Sequence, residues 1–249
     1  MTSSTDPRRS ARPAAFTVEL DTTPDRRQGE EQFLLRRDGG EQRVVLHDYA
    51  TVYAVPGLYE EVVQRQLQCA SPATVADALV EAGASIGLAP EALRAFDLGA
   101  GNGVVGEEMA ARGVTVVVGA DGIGEARDAA HRDRPGLYDH YLVGERLEGA
   151  EVARLVAEER LNALVAAGAV GEGHVPVDAL DELWSAFPSG SVIALTLKDA
   201  HPDDHDVSDV EAMVRGRSDT EIVVQRRFRH RLSMAGAELY YVVLAAVKR

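Results

Sequence analysis

From about residue 93 to residue 198, short apolar β-type runs alternate with helical segments, and no other feature restricts the fold so tightly. The runs are RAFDLG, VTVVVGAD, DHYLVG, LNALVAAG and SVIALTL; between them stand EEMAARG, GEARDAAHRD, GAEVARLVAEER and VDALDELWSAF. Strands joined through helices pair in parallel, with right-handed crossovers and helices on both faces. After SVIALTL the order breaks. HPDDHDVSDVEAMVRG reads as a helix led by acids, with Ser208 and Glu211 at capping-box spacing. TEIVVQRRFRHRLS and ELYYVVLAAVKR then fold back on the short MAGA as an antiparallel hairpin. The expectation is an α/β fold: one doubly wound, seven-stranded, mostly parallel sheet.

Ahead of it stand three segments. Residues 1–14 contain arginine and small residues but no apolar stretch, and read as a disordered leader. Residues 15–69 form an elaboration that opens with AFTVEL and with EEQFLLRR-DGG-EQRVVLHD, a hairpin turning on Asp38-Gly39-Gly40. Beyond the hairpin, Pro56-Gly57 separates two short helices carrying Tyr49, Tyr53 and Tyr59. The main domain is expected over 70–249, its first helix capped by Ser71-Pro72 and ended by Gly83.

Within FDLGAGNGVVGEE, Gly101, Gly103 and Gly106 spell the dinucleotide fingerprint GxGxxG, yet the strand before them ends in Asp97. Glycines at this turn let a ligand approach the following helix N-terminus under either reading. A carboxylate would repel the pyrophosphate of NAD and attract a ligand with an ammonium and a sulfonium, such as S-adenosylmethionine. Asp121, about 20 residues on, suits the ribose hydroxyls of either cofactor. No Tyr-x-x-x-Lys pair of a short-chain dehydrogenase is present.

These residues resemble the class I S-adenosylmethionine-dependent methyltransferases, over roughly 70–249. Asp97-Leu98-Gly99-Ala100-Gly101-Asn102-Gly103 is similar to that family's first motif, Asp121 to its ribose-binding acid, and the final hairpin to its reversed last strand. DLGAGNGVVGEE, GHVP and the RHRLSMAG to YYVV ending resemble small bacterial methyltransferases of the Williams–Beuren-region type. The resemblance implies a Rossmann-like methyltransferase fold and S-adenosylmethionine as cofactor. It would be held by Asp97, Gly99, Ala100, Gly101, Asn102 and Gly103, by Asp121, Gly122 and Ile123, by Glu145 toward the adenine, and by Ala166. At Glu145 a plain surface glutamate is the competing reading. No Asn-Pro-Pro-Tyr or Asp-Pro-Pro-Tyr follows the fourth strand, which disfavours amino methylation of nucleic-acid bases or glutamine.

Methyl transfer is an in-line displacement, so alignment matters most and a base is needed only for a hydroxyl acceptor. Ligands of open α/β sheets sit beyond the strand carboxyl ends, which places 166–176 at the reacting centre, with His174 as candidate catalytic base or substrate contact. The alternative is that His174 caps the next helix. Tyr49, Tyr53 and Tyr59, together with His47, are expected to form an aromatic lid against the substrate; equally, Tyr49 and Tyr53 at i and i+4 would simply pack a helix. Lys198, with Asp199 beyond the fifth strand, is a further candidate for the acceptor pocket. His201, Asp203, Asp204, His205 and Asp206 match no rigid metal site, and no metal is expected.

The expected function is therefore methylation of a small molecule, oxygen acceptors favoured; the alternatives are an NAD-dependent oxidoreductase and a non-catalytic protein binding an adenosine ligand. A net charge of -14 and a pI near 4.9 disfavour nucleic acid as partner. The alternating arginines of QRRFRHRL, 225–232, read as a charged strand edge rather than an RNA stripe. No apolar run is long enough to span a membrane, and a cytoplasmic protein is expected. One cysteine, Cys69, allows neither an intrachain disulfide nor a thiolate zinc site.

Overall fold

The computed structural model describes residues 16–144, 146–171, 175–199 and 205–249, the last from its backbone alone up to 208. The leader, Glu145, His174 and most of the acidic cluster before the last helix lie outside the described residues.

The N-terminal elaboration is a three-stranded antiparallel sheet rather than a lone hairpin: β1 (Phe16–Leu20), β2 (Gln32–Arg37) and β3 (Gly40–Val45), in that order. Asp38 and Gly39 take φ of 52° and 77°, the left-handed pair that a two-residue turn between twisted strands requires. AFTVEL joins as β1 because its alternation matches β2, with Val18 opposite Leu35. Helix α1 (Tyr49–Ala54) comes next, then a π-helical segment Glu60–Gln66 and α2 (Ser71–Ser85). Phe33, Leu35, Val52, Leu58 and Val62 bury one another in a separate small core that also takes in Met234.

Two expected boundaries of α2 move. Ala70 is its N-cap, and the Ser71 hydroxyl is spent on His230. Gly83 lies inside the helix because a Cβ there would press on the Leu93 side chain at 3.2 Å; the turn falls instead at Gly87, with φ of 80°. It is a packing glycine, not a stop.

The alternating region then gives β4 (Arg94–Leu98), α3 (Val104–Ala111), β5 (Thr115–Asp121), α4 (Gly124–Asp133), β6 (His140–Val143), α5 (Gly149–Glu158), β7 (Ala163–Ala167), α6 (Val177–Ser185) and β8 (Val192–Lys198). Helix α7 (His205–Gly216) starts three residues ahead of Ser208, which is therefore interior and not its cap. Strands β9 (Thr220–Leu232) and β10 (Glu238–Lys248) close the chain. The seven-stranded sheet has the order β6-β5-β4-β7-β8-β10-β9. Strands β4 to β8 pair in parallel, and β10 runs antiparallel between β8 and β9.

The central strands are apolar on both sides because both faces are covered. One face packs Val75 and Leu79 of α2 and Met109 of α3; the other packs Val152 of α5, Trp184 of α6 and Val210 of α7. Lys248, on the last strand, is buried at 7% exposure yet satisfied: Nζ donates to the carbonyls of Trp184, Ser185 and Phe187 at 2.7–3.1 Å. Those are carbonyls at the carboxyl end of α6, where a cation is favoured. No helix among the described residues is long and apolar enough to cross a membrane.

The arginines of 225–232 are engaged within the chain. Arg226 pairs with Glu81, Arg227 with Asp199 while lying over the Tyr240 ring, and Arg229 with Gln68. Arg231 forms a buried pair with Glu31, whose other oxygen accepts from the Met234 amide at 2.7 Å. That pair ties the N-terminal sheet to the C-terminal hairpin.

Candidate active site

Sheet order reverses direction between β4 and β7, and in open α/β sheets ligands sit in the crevice that such a reversal opens. Here it holds a cavity of about 790 Å3. Leu98 and Gly99 at the end of β4, Asp121 to Ile123 at the end of β5, and Ala167 to Ala169 at the end of β7 form its base, with His47, Tyr49 and Tyr53 over it.

The glycine turn is shaped by close approach. Gly99, with φ of 71°, and Ala100 both donate to the Ala120 carbonyl, at 2.8 and 2.9 Å. A Cβ on Gly99 would stand 2.2 Å from the Ala169 Cβ, so no other residue fits. On Gly101, with φ of 54°, a Cβ would stand 2.3 Å from the Tyr53 hydroxyl, so the lid itself covers that glycine. The Gly101 amide donates to Asp121 Oδ2 at 3.0 Å and its carbonyl accepts from the Tyr141 hydroxyl at 2.6 Å. Asp121 Oδ1 accepts from the Ile123 amide at 3.3 Å. The acid thus anchors the turn and also faces the cavity.

Tyr49 and Tyr53 are stacked, with centroids 5.7 Å apart, and Tyr59 tilts against Tyr53 at 5.3 Å. The packing reading holds for Tyr53, which lies against Ala126 and Ala129 of α4, while all three tyrosines also line the cavity. Burial pushes the Tyr49 phenol up to about 12 and raises those of Tyr53 and Tyr59 well above the ordinary phenol value, so all three keep their protons at neutral pH. The lid is locked by polar contacts: Arg132 donates to the Tyr53 carbonyl at 3.0 Å, and Arg134 to both Glu60 and the Asn102 carbonyl at 2.9 Å.

Several candidates stand elsewhere than expected. Asp97 is fully buried under the glycine turn, accepts from the Tyr138 hydroxyl at 2.7 Å and does not line the cavity, so in this geometry its carboxylate touches no ligand there. It faces the α2–α3 side of the sheet, and burial raises its pKa to about 7. Asn102 gives its side chain to Glu60 at 2.7 Å, and Gly103, with φ of 90°, serves as N-cap of α3. Ala100 and Asn102 border a smaller neighbouring pocket rather than the main cavity. Ala166 is 1% exposed in the core; the cavity begins one residue later. Lys198 is exposed at the end of β8 and lines neither cavity. Asp121, Gly122 and Ile123 do line the main one, as do Gly144 and Arg146 on either side of Glu145. Gly168 and Ala169 line the main cavity within the 166–176 span expected at the reacting centre, whereas His230 and Ser71, which border the smaller pocket, had no local pattern to single them out.

The cavity is suited to an adenosine ligand: a carboxylate for vicinal hydroxyls, apolar walls at Ile123 and Leu147 for a flat base, and a turn free of side chains. No family model matches the sequence, and no curated protein is detectably similar to it. Solved structures are similar in fold. A Pyrococcus horikoshii protein described as a candidate RNA methyltransferase superposes with a TM-score of 0.50 at 17% identity, covering 70% of this chain and 84% of that one. An Anabaena variabilis S-adenosylmethionine-dependent methyltransferase gives 0.49 at 17% identity, over 70% and 86%. A Bacillus cereus O-methyltransferase in complex with S-adenosylhomocysteine gives 0.48 at 13%, over 82% and 90%. Identity this low speaks to the fold alone. The seven-stranded sheet with its reversed penultimate strand and flanking helices is the Rossmann-like methyltransferase fold.

Proposed function

We propose that the protein transfers a methyl group from S-adenosylmethionine to a small molecule, with an oxygen nucleophile as acceptor. One observation carries the choice of cofactor: the sheet, with β10 reversed between β8 and β9, is that of the methyltransferase fold. Asp121, which suits the ribose of either cofactor, faces the cavity and holds the Gly101 amide at 3.0 Å, so ribose recognition and the shape of the glycine turn are one unit. When bound, the cofactor would supply an electrophilic methyl on a sulfonium, its carbon–sulfur pair staying on sulfur and the acceptor's hydroxyl proton leaving to water. The chain's own work is to bind and align. Asp121 accepts hydrogen bonds from ribose, Ile123 and Leu147 take the base, and the lid tyrosines, protonated at neutral pH, wall the cavity from water. Asp97 acts beneath this layer, holding the turn through Tyr138 rather than meeting the cofactor.

A small acceptor is favoured because the lid closes over Gly101 and the surface arginines of β9 are spent on partners within the chain. A cytoplasmic setting fits such chemistry. The test is calorimetric titration of S-adenosylhomocysteine into wild type and into Asp121→Ala. The variant is expected to bind more than about tenfold more weakly, the cost of losing hydrogen bonds to a charged group. Equal affinity would remove the ribose assignment.

A further inference from the structure

Beside the main cavity lies a smaller pocket of about 110 Å3, and Tyr49, Tyr53, Tyr59 and Gly99 are walls common to both. Its other side is built from Cys69, Ser71, His230 and Tyr241, contributed by the lid's exit, the first turn of α2 and the C-terminal hairpin.

His230 occupies an irregular position. Leu239 pairs with Arg231 and Tyr240 with Arg229, so β9 carries one extra residue, and it is His230. A bulge of this kind takes a side chain out of the strand's alternation, and such bulges are frequent beside active sites. The position is firmly held: the His230 carbonyl accepts from the Ala70 amide at 2.7 Å, Nδ1 lies 2.7 Å from the Ser71 hydroxyl, and the ring stacks on Tyr241 with centroids 3.8 Å apart. With Nδ1 engaged by Ser71, Nε2 is the ring nitrogen left to an occupant.

Beside its two imidazoles, His47 and His230, the pocket carries little charge. Arg231 is the one arginine, lysine or acid among the described residues lining it, and it is neutralised by Glu31 in a pair only 5% and 3% exposed. Burial pushes the imidazole of His230 down to about 3 and the Cys69 thiol up, so both stay neutral at physiological pH. An ammonium–carboxylate pair, such as the amino-acid end of the cofactor, would lose its hydration here without charged partners. A hydroxyl on an apolar or aromatic body meets Tyr59, Val63 and Pro72 on its carbon side and imidazole and serine on its polar side.

Resting on the methyl-transfer reading, we propose that this pocket is the acceptor subsite, taking a small uncharged molecule whose hydroxyl is held by His230 and Ser71.

Cys69 is the chain's one cysteine, so methyl methanethiosulfonate reports on the pocket at a single position, read by intact mass. Phenol serves as the uncharged probe and benzoate as its anionic counterpart, each added to wild type with saturating S-adenosylhomocysteine. Phenol at about four times its dissociation constant is expected to slow labelling about fivefold, and benzoate at the same concentration less than about twofold. In His230→Asn and Ser71→Ala phenol protection is expected to fall at least about fivefold in affinity, while affinity for S-adenosylhomocysteine stays within about twofold of wild type. Absence of phenol protection in wild type, or equal protection by benzoate, overturns the proposal. A loss of about tenfold in S-adenosylhomocysteine affinity in the two variants overturns it as well, because the pocket would then belong to the cofactor. If wild type binds no S-adenosylhomocysteine, the methyl-transfer reading fails first and the acceptor assignment falls with it.

Discussion

At the scale of single residues, two buried titratable groups pull stability in opposite directions as pH changes. Burial holds the Asp97 carboxyl at about 7 against its ordinary 3.8, despite the Tyr138 hydroxyl that favours the charged form. Between those values the native state retains a proton that the unfolded chain has released, so this group lowers stability as pH rises through that window. His230 behaves inversely: its pKa falls to about 3 from 6.5, the unfolded chain binds the proton first, and stability rises with pH between the two. Each slope is worth at most about 1.4 kcal/mol per pH unit. Denaturant unfolding from about pH 4 to about pH 6.5 is therefore expected to show a steeper rise with pH for Asp97→Asn than for wild type, and a net fall for His230→Asn. Slopes unchanged in both variants would contradict the burial argument. At Gly99, substitution by alanine must displace Ala169 and strain a φ of 71°, costing about 2 kcal/mol or more, checked by the same unfolding measurement. Asp121 and the glycine turn were legible because the motif and its spacing are local. The placement of Asp97 was not, since Tyr138, which lies 41 residues on, helps decide it, and a strand-end carboxylate looks the same in sequence whether it faces ligand or core.

At the scale of elements, the N-terminal elaboration is held by several ties, among them Arg132 on the Tyr53 carbonyl. Two more are the buried Arg231–Glu31 pair between the hairpin and the N-terminal sheet and the Arg134 bridge from α4's end to the π-helical segment and the glycine turn. Breaking a buried pair from one side leaves an uncompensated charge, so Glu31→Ala is expected to cost about 3–5 kcal/mol. Hydrogen exchange should locate the loss: amides of β1 to β3 gain exchange while those of β4 and β5 keep their protection. Uniform loss across both sheets would mean that the two fold as one unit. The hairpin turn at Asp38-Gly39 was readable because left-handed backbone leaves few residue choices. The end of α2 was misread at Gly83 because a glycine chosen for contact with Leu93 carries the same letter as one chosen for a turn. The bulge at His230 had no signal at all: alternation was extrapolated through QRRFRHRL, and only pairing with β10 shows where it slips.

At the scale of the whole molecule, the parallel pairing of β4 to β8 follows from the alternation of strands and helices, and the final hairpin supplies the reversed strand β10, inserted between β8 and the edge strand β9. The cavity sits where that order changes direction, between β4 and β7, and the lid from before the first of these strands roofs it. Strand–helix alternation is shared by folds that bind different nucleotides, and Asp121 suits the ribose of more than one of them, so the choice of cofactor is the central claim. The most direct measurement is calorimetric titration of the purified wild-type protein with S-adenosylhomocysteine and, separately, with NADH. Dissociation on the order of micromolar is expected for the first and no saturable heat for the second; binding of NADH alone would overturn methyl transfer and return the glycine turn to the dinucleotide reading.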